Sequence, residues 1–293
     1  MKFSPIMLGL SLAVASGLPA TAQDAFSSSS TPKYLQVTVE YTKPGKGGLA
    51  HDKTEGAFVQ AMRKAKFPLH YTAFNAISGR GRALYLSPFN SFEEVEKANK
   101  IFDAPATASE FDRINTADGE LLTDAHVIIF SSDADLSYHS KRPGPQGRFL
   151  EADIFQVKPG HGKEFDDLIK VYMGLLDKVG STQHWGAYRT EYGESVGEVV
   201  LLTVSNSEAE IDQHFSEDPK IMAALSDDDK NKIRDLRAAA IESERVELYS
   251  VNPTQSYVTD DWINADPGFW KPKTAASAPA AKTESKPKAA AAQ

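Results

Sequence analysis

The chain has 293 residues, no cysteine and a formal net charge of −8 at pH 7. Without cysteine it can form no disulfide, no thiolate metal site and no thiol nucleophile, so the fold must depend on its apolar core. An acidic protein repels phosphate backbones, which excludes nucleic acid as an expected partner. A small neutral or cationic molecule is compatible with this charge.

The N-terminal segment has the pattern of a secretory signal peptide. Lys2 precedes an apolar run from Ile6 to Leu18, and Ala20-Thr21-Ala22 matches a small-residue cleavage site. The run is shorter than the roughly 20 apolar residues that a membrane-spanning helix needs. We therefore expect cleavage of residues 1–22, a mature chain that starts at Gln23, and a periplasmic or secreted bacterial protein with no integral membrane segment.

Composition divides the remaining chain into folded and unstructured parts. Two folded repeats are joined by a Pro/Gly-rich linker, preceded by a Ser-rich leader and followed by an aromatic segment and an Ala/Lys/Pro tail. The predicted boundaries are 23–33 for the leader, 34–138 for the first repeat, 139–147 for the linker, 148–258 for the second repeat, 259–270 for the aromatic segment and 271–293 for the tail. The aromatic segment holds Trp262, Phe269 and Trp270, which we expect to pack on the folded body because exposed Trp is unfavourable.

The two repeats are similar to each other. The first begins at Tyr34 with YLQVTVEYTKPGKG and the second at Phe149 with FLEADIFQVKPGHG, so each has a strand that enters a Lys-Pro-Gly turn. Later, His70-Tyr71-x-x-Phe74 in the first repeat corresponds to His184-Trp185-x-x-Tyr188 in the second. Ordered landmarks at a nearly constant offset indicate tandem duplication.

Hydrophobic periodicity predicts the elements of each repeat. Residues 164–179 carry apolar side chains at the i, i+3, i+4, i+7 spacing of a helix, and residues 35–41 alternate as in a half-buried strand. With the short apolar runs that follow, each repeat is predicted to be β-α-β-β-α-β, the last strands ending at Tyr138 and Tyr257. The predicted fold class is α+β, with two tandem ferredoxin-like units whose sheets face each other.

A strand, a K-P-G-x-G turn, an amphipathic helix and an aromatic-rich strand, present twice, resemble the dimeric α/β-barrel superfamily. That superfamily includes cofactor-independent antibiotic-biosynthesis-type monooxygenases, haem-degrading and haem-binding barrels, and the NIPSNAP group. The resemblance implies that the halves of this one chain form a barrel, with a substrate cavity between the sheets. It leaves the oligomeric state open, although a monomer is compatible because the tandem halves can pair. A shared fold does not specify the chemistry.

The orientation of the strands predicts which polar residues line the barrel. If Leu35 and Val37 face the helices, the opposite face of each first strand points inward. The expected inward residues are Gln36, Thr38, Glu40, Glu151 and Asp153, with His126, Arg245 and Glu247 from the last strands. Such a cluster of carboxylate, imidazole and guanidinium groups has the chemistry for proton abstraction, and a network of structural ion pairs is the alternative. The catalytic candidates are Glu151, Asp153, His184 and Arg245, and the ligand-binding candidates are His70, His126, Glu247 and Trp185.

The histidines His70 and His184 occupy equivalent positions, and two such residues could bind a metal or haem iron. No further ligand is visible at a fixed spacing, so we predict no metal site and no cofactor, with haem as the alternative. Enzymatic activity stays open. The sequence favours a small-molecule-binding or non-catalytic barrel over its rival, a cofactor-independent monooxygenase-like or haem-associated enzyme acting in the inter-sheet cavity.

Overall fold

The structure is a computed structural model and describes residues 31–140 and 144–271. The predicted signal peptide, most of the leader and nearly all of the tail lie outside the described residues. The first half consists of β1 (Tyr34–Thr42), α1 (Leu49–Ala65), β2 (Thr72–Ala76), β3 (Arg82–Phe89), α2 (Phe92–Phe102), α3 (Ala108–Gly119) and β4 (Leu122–Tyr138). The second half consists of β5 (Phe149–Val157), α4 (Gly162–Val179), β6 (Trp185–Tyr192), β7 (Glu198–Ser205), α5 (Glu208–Ala224), α6 (Asp227–Ala240) and β8 (Ile241–Val251), followed by α7 (Asp260–Ala265) and α8 (Pro267–Trp270).

The strands form a closed antiparallel barrel in the order β1-β3-β2-β8-β5-β7-β6-β4. Within each half the last strand lies beside the first, followed by the third and the second, which is the ferredoxin-like order. The pairs β2–β8 and β4–β6 join the two sheets. The predicted fold, two such units facing each other within one chain, is confirmed. Closure leaves the barrel without a free sheet edge.

The barrel interior is apolar, so the predicted orientation of the first strands is wrong. Leu35, Val37 and Val39 of β1 meet Leu150 and Ala152 of β5 inside the barrel. The alternating residues Gln36, Thr38, Glu40, Glu151 and Asp153 lie on the opposite face, toward the helices. The interior of a closed barrel is covered on all sides, and most strands therefore turn their more apolar face toward it. Charged side chains of β3 and β8 lie at one end of the interior.

The helices cover the outside of the barrel with one layer on each half. In the first half α1 and α3 pack on the sheet through a core that includes Val59, Phe111 and Ile114. In the second half α4 packs through Phe165 and Ile169, the stripe that its periodicity predicts. None of the helices in the described ranges is long and apolar enough to cross a membrane.

The C-terminal strand is shorter than predicted. It ends at Val251, because Pro253 has no backbone N–H to donate to a neighbouring strand. Tyr257 lies beyond it and forms a single β-bridge with Tyr71, while its hydroxyl donates to the carbonyl of Phe67 at 2.9 Å. In the aromatic segment, Trp270 is buried and its Nε1 donates to the carbonyl of Pro145 at 2.7 Å. The aromatic segment is thereby held against the linker.

Candidate functional site

A cavity of about 570 Å³ lies in the second half, between the sheet and helices α4 and α5. Its walls are aromatic and aliphatic, and they include Phe149, Phe155, Leu168, Tyr172, Trp185 and Leu201. At its edge Phe215, Met222 and Val246 are 64%, 60% and 55% exposed, respectively. Exposed apolar residues around a cavity are typical of a binding site for an apolar molecule.

Two carboxyl groups from β5 face this cavity. Glu151 and Asp153 are two residues apart, so the period of a strand places them on the same face. Within the described ranges neither has a hydrogen bond or an ion pair. Burial, together with the charges of Glu151 and Glu244, raises the pKa of Asp153 from 3.8 to about 7. Asp153 can therefore accept or release a proton near neutral pH.

The histidine at the start of β6 also lines the cavity. His184 is buried, and its Nε2 donates a hydrogen bond of 3.1 Å to the carbonyl oxygen of Val204. The backbone carbonyl of His184 accepts a hydrogen bond of 3.0 Å from the Thr203 hydroxyl. Trp185 is fixed beside it, because its Nε1 donates to the carbonyl of Leu136 at 2.7 Å.

Helix α5 adds two residues that the sequence analysis missed. The His214 ring lies 6.0 Å from the His184 ring, and burial and His184 lower the pKa of His214. Glu210, one turn earlier, completes a group of three with ligand atoms within 4.8 Å of one another. Its Oε2 accepts the backbone N–H of Asn206 at 2.7 Å. The i, i+4 spacing of Glu210 and His214 was the available signal, but it is common on helix surfaces.

Three predicted site residues lie in a different place, at one end of the barrel interior. The carboxylate of Glu247 pairs with Arg82 and accepts a hydrogen bond of 2.5 Å from the Tyr249 hydroxyl. Arg245 lies 3.6 Å from Glu247, and His126 lies 3.3 Å from Glu194. The space there is about 80 Å³, well below the roughly 300 Å³ of a typical ligand pocket. Here the geometry is that of an ion-pair network.

The equivalent histidines do not share a cavity. His70 lies in the first half, where its ring stacks on Tyr257 with 4.6 Å between centroids. Burial, and to a lesser extent the charge of Arg63, lower the pKa of His70 to about 4, so it is neutral at pH 7. The structure thus brings together Glu151, Asp153, His184 and Trp185, and it separates them from Arg245, Glu247, His126 and His70.

The cavity residues fit haem poorly. His214 could supply a nitrogen ligand to iron, but the lining also carries the carboxyl groups of Glu151 and Asp153. Among the residues that line the cavity, Arg237 is the one Lys or Arg side chain, and it already pairs with Glu244. Two haem propionates would therefore meet acids rather than free cations.

Comparison with known proteins supports the fold. No family model matches the sequence, and no curated protein matches it either. A proposed monooxygenase from Fusobacterium nucleatum superposes with a TM-score of 0.51 at 12% identity, over 74% of this chain and 91% of that one. An anthrone oxidase-like protein gives 0.50 at 16% identity, over 78% and 95%. A variant chlorite dismutase from Candidatus Nitrospira defluvii gives 0.47 at 7% identity, over 77% and 94%. At these identities the likeness shows the fold alone, a barrel of two ferredoxin-like units that this one chain supplies from its own two halves.

Proposed function

We propose that the second half binds a small neutral aromatic molecule in its cavity and that Asp153 removes a proton from it. The observation that carries this proposal is the Asp153 carboxyl, which has a pKa of about 7 and faces a cavity of about 570 Å³ without a partner among the described residues. The volume lies within the range of roughly 300–1,000 Å³ of small-molecule sites. A general base is most effective when its pKa is near the working pH.

The lining also indicates the class of ligand. Aromatic and aliphatic walls suit an apolar body, and the acidic side chains Glu151 and Asp153 disfavour an anion. Loss of a proton leaves negative charge on the ligand, and the one Lys or Arg in the lining, Arg237, is already paired with Glu244. The ligand must therefore delocalise that charge itself, which requires a conjugated molecule.

Such a reaction can proceed to oxidation without a cofactor. With anthrone as the probe, the acidic C–H gives its proton to Asp153 and the carbanion adds O₂ at the same carbon. The resulting peroxide anion takes the proton back from Asp153 to form a hydroperoxide, and loss of water gives anthraquinone. Two neighbours of the same fold are named as a monooxygenase and as anthrone oxidase-like, and their names agree with this class of reaction. The cavity therefore favours catalysis over the non-catalytic binding that the sequence suggests.

The test is oxygen consumption and anthraquinone formation with anthrone, against a protein-free blank. We expect turnover above the blank, a loss in kcat on the order of 100-fold or more in Asp153→Asn, and loss of binding in Leu201→Tyr, which fills the cavity. Thr38→Val, at the position equivalent to Asp153 in the first half, is the matched control and should behave as the wild type. Equal rates in the wild type and Asp153→Asn would exclude Asp153 as the base. If the protein binds the neutral dye N-phenyl-1-naphthylamine but does not turn over anthrone, it is a binding protein and the proposed catalysis is wrong.

Export is part of the proposal and rests on the N-terminal pattern of Lys2, the apolar run and the Ala20-Thr21-Ala22 site. N-terminal sequencing of protein from the periplasmic or secreted fraction should begin near Gln23. Retention of Met1 in the cytoplasm would contradict it.

A further inference from the structure

A second group of ionisable side chains is buried in the first half, between β1 and the helices α1 and α3. Glu40 comes from β1, His51 and Glu55 lie one turn apart on α1, and Asp118 is near the end of α3. His51, Glu55 and Asp118 are 1%, 4% and 3% exposed, respectively. One ligand atom of each of the four residues lies within 4.8 Å of those of the others. We call this group the Glu40 cluster.

The geometry of the Glu40 cluster converges on the imidazole of His51. Its Nε2 lies 3.1 Å from the Glu40 carboxylate and 3.5 Å from the Asp118 carboxylate. The buried Oε1 of Glu55 has no hydrogen-bond partner in the described part of the chain. The surrounding residues hold the ligands in place, because Thr54 donates to Asp118 at 2.5 Å and Gln255 contacts Nδ1 of His51 at 3.4 Å.

The carboxyl groups of the Glu40 cluster outnumber its one imidazole. The cluster holds three carboxyl groups, and within the described ranges none of them pairs with Lys or Arg. Buried carboxylates normally persist when they are paired or coordinate a metal. A divalent cation would neutralise most of this charge and satisfy Glu55.

We propose that the Glu40 cluster is a structural binding site for a divalent transition-metal ion of the Mn²⁺ or Zn²⁺ class. Carboxylate oxygens suit Mn²⁺ and imidazole suits Zn²⁺, so a set of three oxygens and one nitrogen matches these ions better than Mg²⁺ or Ca²⁺. Four protein ligands complete a tetrahedral shell around Zn²⁺, and three of the four residues are buried away from substrate, which is typical of a structural site. The ion would tie β1 to α1 and α3.

The test is titration of the full chain with MnCl₂ after EDTA treatment, with free Mn²⁺ counted by electron paramagnetic resonance. We expect one Mn²⁺ per chain, displaced by Zn²⁺. Glu55→Gln and His51→Gln should each weaken the apparent affinity at least about tenfold. The matched control is the double variant His184→Gln/His214→Gln, which removes the three-residue group of the second half and should bind Mn²⁺ as the wild type does.

A spectroscopic readout keeps the proposal testable if the cluster variants do not fold. In the control variant, which leaves the Glu40 cluster intact, pulsed resonance of bound Mn²⁺ should show coupling to one imidazole nitrogen. The proposal is overturned if the wild type binds no Mn²⁺, if the control variant loses binding or the nitrogen coupling, or if folded Glu55→Gln and His51→Gln both bind as tightly as the wild type. These results are independent of anthrone turnover.

Discussion

The two halves share one topology but differ in the layer between sheet and helices. In the first half this layer is filled by aromatic side chains, whereas in the second it encloses the cavity. Strand register shows the cause. Tyr85 pairs with Thr38 and Phe89 with Tyr34, while at the equivalent places Leu201 pairs with Asp153 and Ser205 with Phe149. The smaller side chains of β7 leave a space that the larger side chains of β3 fill in the first half.

The acidic residues of the two halves differ in the same way, in how closely other side chains pack around them. Glu40 of β1 packs with His51 and two further carboxyl groups, and His51, Glu55 and Asp118 are buried. Glu151 and Asp153 of β5 face open space instead. The two halves thus have equivalent backbones. Differences in the volume of a few side chains determine whether the acids lie in a packed cluster or line an open cavity.

The largest expected effect on stability comes from a substitution in the packed core of the first half. Phe89 is 1% exposed and packs on Tyr34 with ring centroids 5.2 Å apart. Phe89→Ala should cost about 3–5 kcal/mol of unfolding free energy, since it leaves a cavity in a filled core. Ser205→Ala, at the equivalent position, should change it by less than about 1 kcal/mol. Urea unfolding of both variants measures the difference, and similar costs at the two positions would contradict the contrast in packing.

The next prediction concerns an ion pair that joins the two halves and asks whether they unfold together. Arg82 of β3 and Glu247 of β8 form a buried ion pair across the two sheets. Glu247→Gln should destabilise the protein by about 3 kcal/mol, because it leaves the Arg82 charge buried and unpaired. Arg82→Met/Glu247→Leu should cost less, since no charge is then left alone. Urea unfolding followed by tryptophan fluorescence, which reports on Trp185 and the C-terminal aromatic segment, and by circular dichroism should give one coincident transition. Separate transitions would show that the halves are independent.

Much of the fold could be predicted from sequence because the duplication repeats its signals. The Lys-Pro-Gly turns after β1 and β5 and the helical period of residues 164–179 are local, and each corresponds to an observed element. The direction of alternation could not be predicted. Leu35 and Val37 form the apolar face of β1 in either orientation, and both faces of each sheet are covered, so nothing in one strand tells the barrel side from the helix side.

Only part of the candidate site could be predicted from the sequence. Acids on a buried strand are unusual, and that signal identified Glu151 and Asp153, although in the wrong cavity. His214 and His51 were missed, because a polar pair at i, i+4 on a helix has the same pattern as an ordinary exposed face. Only the packing of helix on sheet shows that these residues face inward.

The pH dependence of stability should distinguish Asp153 of the second half. Its pKa is raised from 3.8 to about 7 in the folded state, so the folded protein holds this proton longer than the unfolded chain does. The resulting stabilisation is present below about pH 4 and is lost as the pH rises to about 7. Asp153→Asn should therefore gain stability relative to the wild type over that window.

The size of this gain is limited by water in the cavity. The full shift corresponds to roughly 4 kcal/mol, and screening should reduce it to about 2 kcal/mol. Urea unfolding at pH 4, 5.5 and 7 measures it. Thr38→Val is the matched control in the first half and should show no change in pH dependence. A constant difference between Asp153→Asn and the wild type across this range would contradict the raised pKa.

The smallest effect separates the two equivalent histidines. His184→Gln removes the hydrogen bond to Val204, and His70→Gln removes the stack on Tyr257, so each should cost about 1 kcal/mol in unfolding free energy. The two variants should differ in binding, because His184 lines the cavity and His70 lies in the other half. N-phenyl-1-naphthylamine should bind His70→Gln as it binds the wild type and should bind His184→Gln with a changed affinity. An equal loss of dye binding in both variants would show that the equivalent positions still share a function, contrary to the separation of the halves.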